Sequence, residues 1–311
     1  MTIVAVCGIL TGYYLLPDCV TTLTATGLGL PPAQTWMSAG IKAVLLNTAI
    51  SLCIAFMLYI LNREFKLMSN SSMAVAGIFM FMQMAMPQTL AVFSGGTLMA
   101  FILTACMFLM FSTYNSRDCS LPVYTLFMIL GLGCLTFYGY LFYVPVFLIV
   151  CMQVRVLSLR TLIAAILGLI TPAWILGGFG IIDLSAIPVP DVTTLFSNIG
   201  RNTGIASIKF MATAGFTVLA CLICGIGCIM RTYSYNSRSR SYNGFIYILT
   251  LVTILLACID FGSAIIYIPL LNCGAAYQTA HFFITNRDQR SFIGVILILM
   301  AYLAFFIWNI M

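Results

Sequence analysis

Acid–base chemistry in this chain rests on few groups: 7 carboxylates and a single histidine. The first carboxylate, Asp18, stands in "YYLLPDCVTT", directly after Pro17 ends an apolar run. There it suits a general base that takes the proton of an acceptor hydroxyl. It also suits a solvated residue closing a helix. A carboxylate at the centre of a bilayer costs about 2.5–3.5 kcal/mol on insertion scales, and the interface avoids most of that cost. Asp183 and Asp191 fall in a second polar stretch, "DLSAIPVPDVTTLFSNIGRNTGI", followed by Arg201 and Lys209, while Lys42 closes the first stretch. Cations bind phosphate, and the arginine fork does so bidentately. Lys42, Arg201 and Lys209 are therefore a candidate set for a lipid monophosphate or diphosphate, with Asp183 and Asp191 as supporting acids. Interfacial anchoring and a local Asp–Arg pair account for the same residues. Asp260, in "ACIDFGS", is where proton-coupled transport would want an acid. Gly262 and Ser263 follow at once, so the simpler expectation is a helix end at the membrane edge.

The remaining reactive types read as packing. His281 has no acid nearby and so builds neither a zinc site nor a triad. "CLICGIGC" sets Cys221, Cys224 and Cys228 on one helical face inside an apolar segment. A thiolate is disfavoured there, and small residues that let helices approach are the better account. The methionines of "MAVAGIFMFMQMAM" suit flexible packing or lipid contact rather than copper. No metal or cofactor is predicted. Most of the 12 cysteines sit in apolar runs, and Cys19 and Cys119 fall in loops on opposite faces, so no disulfide framework is expected.

What must position these groups is a membrane. The 311 residues are 62% apolar and 6% charged, against about 25% charged in soluble domains. So few charges cannot cover a water-facing surface of this size, so the lipid bilayer is the main solvent. The net charge of +6 implies no nucleic-acid partner, because basic loops follow from the positive-inside rule. "MTIVAVCGILTGYY" lacks a basic leader and a cleavage site, and reads as a retained first segment.

Eleven apolar segments fall near 2–16, 39–61, 71–92, 96–113, 123–137, 141–155, 161–181, 206–230, 243–260, 263–285 and 291–310. The fifth and sixth are short, and a single long helix is the rival reading. Loop charge decides between them. With eleven crossings and a cytoplasmic N-terminus, the loops "NREFK", "NSRDC", "RVLSLR", "RTYSYNSRSR" and "NRDQR" all lie inside, while Lys42, Arg201 and Lys209 stay outside. Merging the two segments destroys that bias, so Gly139 marks a tight outer turn. Trp36, Trp174 and Trp308 fall toward the outer half, as an aromatic belt requires. The expected fold is all-α: one polytopic transmembrane bundle over 1–311, about eleven helices, with the C-terminus outside. Its outer loops run over about 17–38 and 182–205, with a short interfacial helix near 190–200. A mobile cytoplasmic loop is expected at about 231–242.

The stretches "ILNREFK", "LGCLTFYGYLFYVPVFLIV" with "RTLIAAILGLITPAWIL", and "YIPLLNCGAAYQTAHFFITNRDQRSFIGVILILM" resemble a family of multi-pass inner-membrane proteins of Bacteroidota grouped under a domain of unknown function. The likeness spans roughly 55–180 and 260–305. It implies the fold and a bacterial inner-membrane location, and brings no activity with it. A looser resemblance is to polytopic glycosyltransferases of the GT-C class, which place an acid in the first external loop and use a polyprenyl-phosphate sugar. Asp18 occupies that place, as one carboxylate rather than a pair. The implied function is envelope glycoconjugate assembly with a lipid-linked sugar donor. A non-catalytic subunit packed against other membrane subunits is the alternative. A transporter or lipid flippase is a third.

Overall fold

Each of the eleven apolar segments contains a helix, as expected where no water is present to satisfy backbone N–H and C=O groups. The computed structural model describes residues 1–15, 27–31, 33–37, 40–68, 72–114, 119–182, 205–231, 237–285 and 289–311. The helices are α1 (Thr2–Leu15), α2 (Ile41–Phe65), α3 (Ser72–Met84), α4 (Gln88–Ala91), α5 (Gly96–Ser112), α6 (Ser120–Thr136), α7 (Tyr143–Gln153), α8 (Leu159–Gly178), α9 (Ile205–Arg231), α10 (Ser237–Ile259), α11 (Ala264–Thr285) and α12 (Gln289–Ile310). There is no strand among the described residues. Five helices are long and apolar enough to cross a membrane: α2, α8, α9, α10 and α12.

The third expected segment is broken. Proline lacks an N–H and clashes with the preceding turn, and Pro87 separates α3 from the single turn of α4. Asn47 of α2 bridges the break. Its Nδ2 donates to the carbonyls of Leu90 at 2.9 Å and Val92 at 3.1 Å, while its Oδ1 accepts from Thr97 Oγ1 at 2.7 Å.

Contacts fix the relative directions of the helices. Tyr143 bonds Thr253 and Phe147 meets Phe245, so α7 and α10 are antiparallel. Gly274 lies against Thr250, and Tyr277 and His281 bond Asn243 and Tyr247, so α10 and α11 are antiparallel too. Gly96 touches Ile266, and Cys273 interacts with Thr104, so α5 runs parallel to α11. Cys106 meets Leu126, and Leu98 and Thr136 share a hollow, so α6 opposes α5. The chain therefore reverses between α6 and α7, through a 3-10 turn over Tyr138–Phe142 that contains Gly139. One end of the bundle gathers residues 27–31, 33–37, 93–95, 134–142 and 260–267. The other gathers 65–68, 111–114 and 238–242.

Small residues set the closest approaches. A Cβ at Gly131 of α6 would lie 2.6 Å from the Leu169 carbonyl oxygen, and one at Gly168 of α8 would lie 2.5 Å from that of Tyr124. Helices meet this closely in membranes through dispersion and backbone contact, since lipid supplies no hydrophobic drive between them. The outermost helices keep apolar faces for lipid: Trp174 on α8 is 75% exposed and Leu297 on α12 is 64% exposed. The opposite holds for α11, whose residues 263–281 are buried almost without interruption beneath α3, α5, α9, α10 and α12.

Three expectations need correction. Cys119 stands in the connection before α6, as its N-cap, but it is buried, with its Sγ 3.5 Å from the Thr113 carbonyl oxygen. The mobile loop expected at 231–242 is shortened, because α10 begins at Ser237. There Arg238 donates through Nε to the Tyr242 hydroxyl at 3.0 Å and lies over the Tyr114 and Tyr242 rings, while Tyr242 donates to the Phe111 carbonyl at 2.9 Å. Asp260 is not at a solvated membrane edge, as described next. The interfacial helix expected near 190–200 lies outside the described residues.

Candidate functional site

Asp260 ends α10, where its N–H still donates to the Leu256 carbonyl at 2.8 Å and its own carbonyl accepts from the Ser263 N–H at 3.1 Å. The side chain turns inward and is only 5% exposed. Tyr138, from the turn between α6 and α7, donates to its Oδ2 at 2.6 Å. Tyr267, in the first turn of the next helix, donates to the same oxygen at 3.4 Å. Ser263 also bonds Tyr138. Glycine is needed at 139, because a Cβ there would meet the Tyr267 hydroxyl at 2.6 Å. Of the two acids with described side chains, Glu64 is exposed and Asp260 is buried. No lysine or arginine among the described residues contacts Asp260. An ionisable group enclosed this way in a helical membrane bundle is costly and marks a functional site by default.

Below Asp260 a polar line follows one face of α10. Asn243, Tyr247, Thr250, Thr253 and Asp260 recur at helical spacing and face Tyr267, Gly274, Tyr277 and His281 of α11. Thr253 shares a 3.0 Å bond with Tyr143 of α7. The Tyr277 hydroxyl donates to Asn243 Oδ1 at 2.5 Å, and its ring stacks on His281. His281 Nδ1 is 3.3 Å from the Tyr247 hydroxyl. Between Thr250, Thr253 and Tyr277 lies a cavity of about 20 Å³, walled mostly by apolar residues, Leu58, Leu249 and Leu270 among them. The cysteines of α9 pack on this core: Cys221 Sγ is 2.9 Å from Gln278 Oε1, and a Cβ at Gly225 would meet the same amide at 2.8 Å.

The residues singled out from sequence fare differently. Asp18, Asp183, Asp191 and Arg201 lie outside the described residues. Lys42 is exposed in the first turn of α2, and Lys209 is half-buried near the start of α9. Neither lysine side chain makes a hydrogen bond or ion pair with another described residue, though the Lys209 carbonyl accepts from Thr213 Oγ1 at 2.9 Å. His281 is buried at 1% exposure in the line just described. The backbone around the loops is informative. Leu28 and Leu30 donate to the carbonyls of Cys134 at 3.4 Å and Leu135 at 3.1 Å, satisfying acceptors that the end of α6 leaves open. Gly29 lies against Ile182, where a Cβ would be 2.5 Å from Cγ2. Compared with family models, with curated proteins and with solved structures, the chain matches none. Fold and site together define a helical membrane protein with a buried carboxylate at one end of its bundle.

Proposed function

We propose that this chain is an eleven-crossing protein of the bacterial inner membrane, with a cytoplasmic N-terminus, that works at its outer face in envelope glycoconjugate assembly. It would act as a glycosyltransferase using a polyprenyl-phosphate sugar. The observation that carries this reading is the contact of Gly29 with Ile182, supported by the seating of 28–30 on the end of α6. It sets residues 27–31, which follow the first polar stretch, against Ile182, the last described residue before the second. Lys42 and Lys209 suit the same chemistry. Both sit near helix N-termini, where free N–H groups and the helix dipole already favour an anion such as a phosphate. Asp18 is the proposed base for the acceptor hydroxyl, Arg201 completes the cationic set, and Asp183 and Asp191 orient it.

The alternation of helix directions supports the topology. The basic residues Arg63, Lys66, Arg238 and Arg240 lie at the end opposite Lys42. In intact cells, an impermeant thiol reagent is expected to label Lys42→Cys, and to label Glu64→Cys only after permeabilisation. The activity is tested by replacing Asp18 with Asn, and Asp183 with Asn, at normal protein level. Each is expected to remove one envelope glycoconjugate product. An unchanged product profile in both variants overturns the glycosyltransfer reading.

A further inference from the structure

We infer a second activity in the α10–α11 interface: proton transfer between Asp260 at the outer end and His281 toward the inner end, gated by hydration of the cavity between them. It stands independently of glycosyl transfer, since it uses none of the loop residues.

Adhesion alone does not require this arrangement. Neutral hydroxyls and amides join membrane helices adequately, at about 0.6 kcal/mol per bond on average. Here the line ends in a carboxylate with no cation against it among the described residues, and contains the chain's only histidine. Histidine is the physiological-pH proton carrier, and acids and histidines held inside membrane bundles form proton relays. The groups facing Asp260 are Tyr138 from the 138–142 turn and Tyr267 from α11, with Ser263 beside Tyr138. Those facing His281 are Tyr247 from α10 and Tyr277 from its own helix. Between the two ends, Tyr143 and Thr253 share one bond and Tyr277 and Asn243 another.

The cavity separates these two polar halves. At about 20 Å³ it has room for a single water, which needs on the order of 10–15 Å³. Thr250, Thr253 and Tyr277 line it, but leucines and Met107 dominate its wall. Such a wall favours a dry state, and apolar constrictions gate by dewetting. A dry cavity isolates Asp260 from His281, and a filled one joins them. In the filled state a proton on Asp260 leaves its oxygen for a neighbouring hydroxyl. Each hydroxyl or water then forms one O–H bond as it gives up another, and His281 gains one N–H bond. His281 then loses that N–H proton on the inner side and the Asp260 carboxylate takes up another from the outer side, which restores both groups with one proton moved across.

The test uses the full-length protein in liposomes containing a pH-sensitive dye, under an imposed potassium potential with valinomycin. The wild-type protein is expected to pass protons above the protein-free rate. Leu270→Ser, which makes the cavity wall polar, is expected to raise that flux. Asp260→Asn in either background is expected to return it to the protein-free level, and Asp260→Glu to restore it. Insertion and folding of each variant are followed by its elution as a single species in detergent. Flux that is equal with Asp or Asn at 260 overturns the inference. So does the absence of flux from both the wild type and Leu270→Ser. Loss of the glycoconjugate product in the Asp18 variant leaves this measurement unaffected, so the two proposals fail separately.

Discussion

The bond between Tyr138 and Asp260 joins residues 122 positions apart and gives a sharp energetic prediction. Removing the hydroxyl with Tyr138→Phe keeps the ring against Phe137 and Phe142 but takes away the 2.6 Å donor. Asp260 then keeps only Tyr267 at 3.4 Å. Both partners are nearly fully enclosed, at 7% and 5% exposure, so water does not replace the lost bond. A hydrogen bond to a charged group is worth about 1.5–3 kcal/mol. Bonds between membrane helices run lower, about 0.6 on average with a maximum near 1.7 kcal/mol. The short length and enclosure of this one place it at the upper end of the second range, so Tyr138→Phe is expected to cost about 1.5–2 kcal/mol. Asp260→Asn retains an acceptor for Tyr138 and is expected to cost about 1 kcal/mol, as for a neutral bond. The assay is a double-mutant cycle on equilibrium unfolding in mixed micelles, with the coupling energy as readout. A coupling of about 0.5–1 kcal/mol is expected, since Asn keeps a neutral bond to Tyr138 and only the excess of the wild-type bond is lost. Values within about 0.3 kcal/mol of zero, the usual error of additivity, would refute the view that this bond ties the two turns together.

Three other changes follow from packing and backbone geometry. Gly168→Leu sets a side chain where even a Cβ comes within 2.5 Å of backbone, so α6 and α8 must separate. The loss is expected to exceed the usual overpacking cost of about 1–3 kcal/mol, and appears as a lower melting temperature in detergent. Asn47→Leu removes three bonds around the Pro87 break, and strands the buried Leu90 carbonyl and the half-buried one of Val92. A destabilisation of about 2–4 kcal/mol is expected in the same melt. Arg155→Gly acts in the other direction. Arg155 has φ 59° after α7, with Val156 donating to the Cys151 carbonyl and Arg155 to that of Met152, a helix ending that favours glycine. The substitution is expected to stabilise by about 0.5–1 kcal/mol, given a left-handed penalty of roughly 1–2 kcal/mol partly offset by glycine's entropy.

Periodicity and charge made the scaffold legible. Runs of apolar residues located a helix in each of the eleven expected segments, because each helix in lipid must satisfy its own backbone, although α3 stops at Met84 rather than near 92 and α10 starts at Ser237 rather than near 243. Loop charge separated α6 from α7, where hydropathy alone left them fused across Tyr138–Phe142. What sequence missed was burial of Asp260. Gly262 and Ser263 behind it signal a helix end, and a helix end is ordinarily solvated. Here the end is roofed by Tyr138 from a distant turn, and no local pattern encodes that pairing. One signal was present: Asn243, Tyr247, Thr250 and Thr253 repeat at three and four residues and point along the helix to Asp260. The break at Pro87 was also readable from the proline, though its repair by Asn47, 43 residues from Leu90, was not.

The enclosure of α11 bears on how the protein is made. Synthesis delivers this helix after ten other described helices, yet its final place is at the centre of them. With Asn272, Gln278 and His281 along its length, it is poorly suited to wait in lipid by itself. The earlier helices must therefore leave a slot beside Gly96, Thr250 and Cys221, and α11 completes the bundle by entering it. A ribosome-bound chain ending near residue 260 would expose a hollow to lipid or to the insertion machinery, and the last two helices would close it.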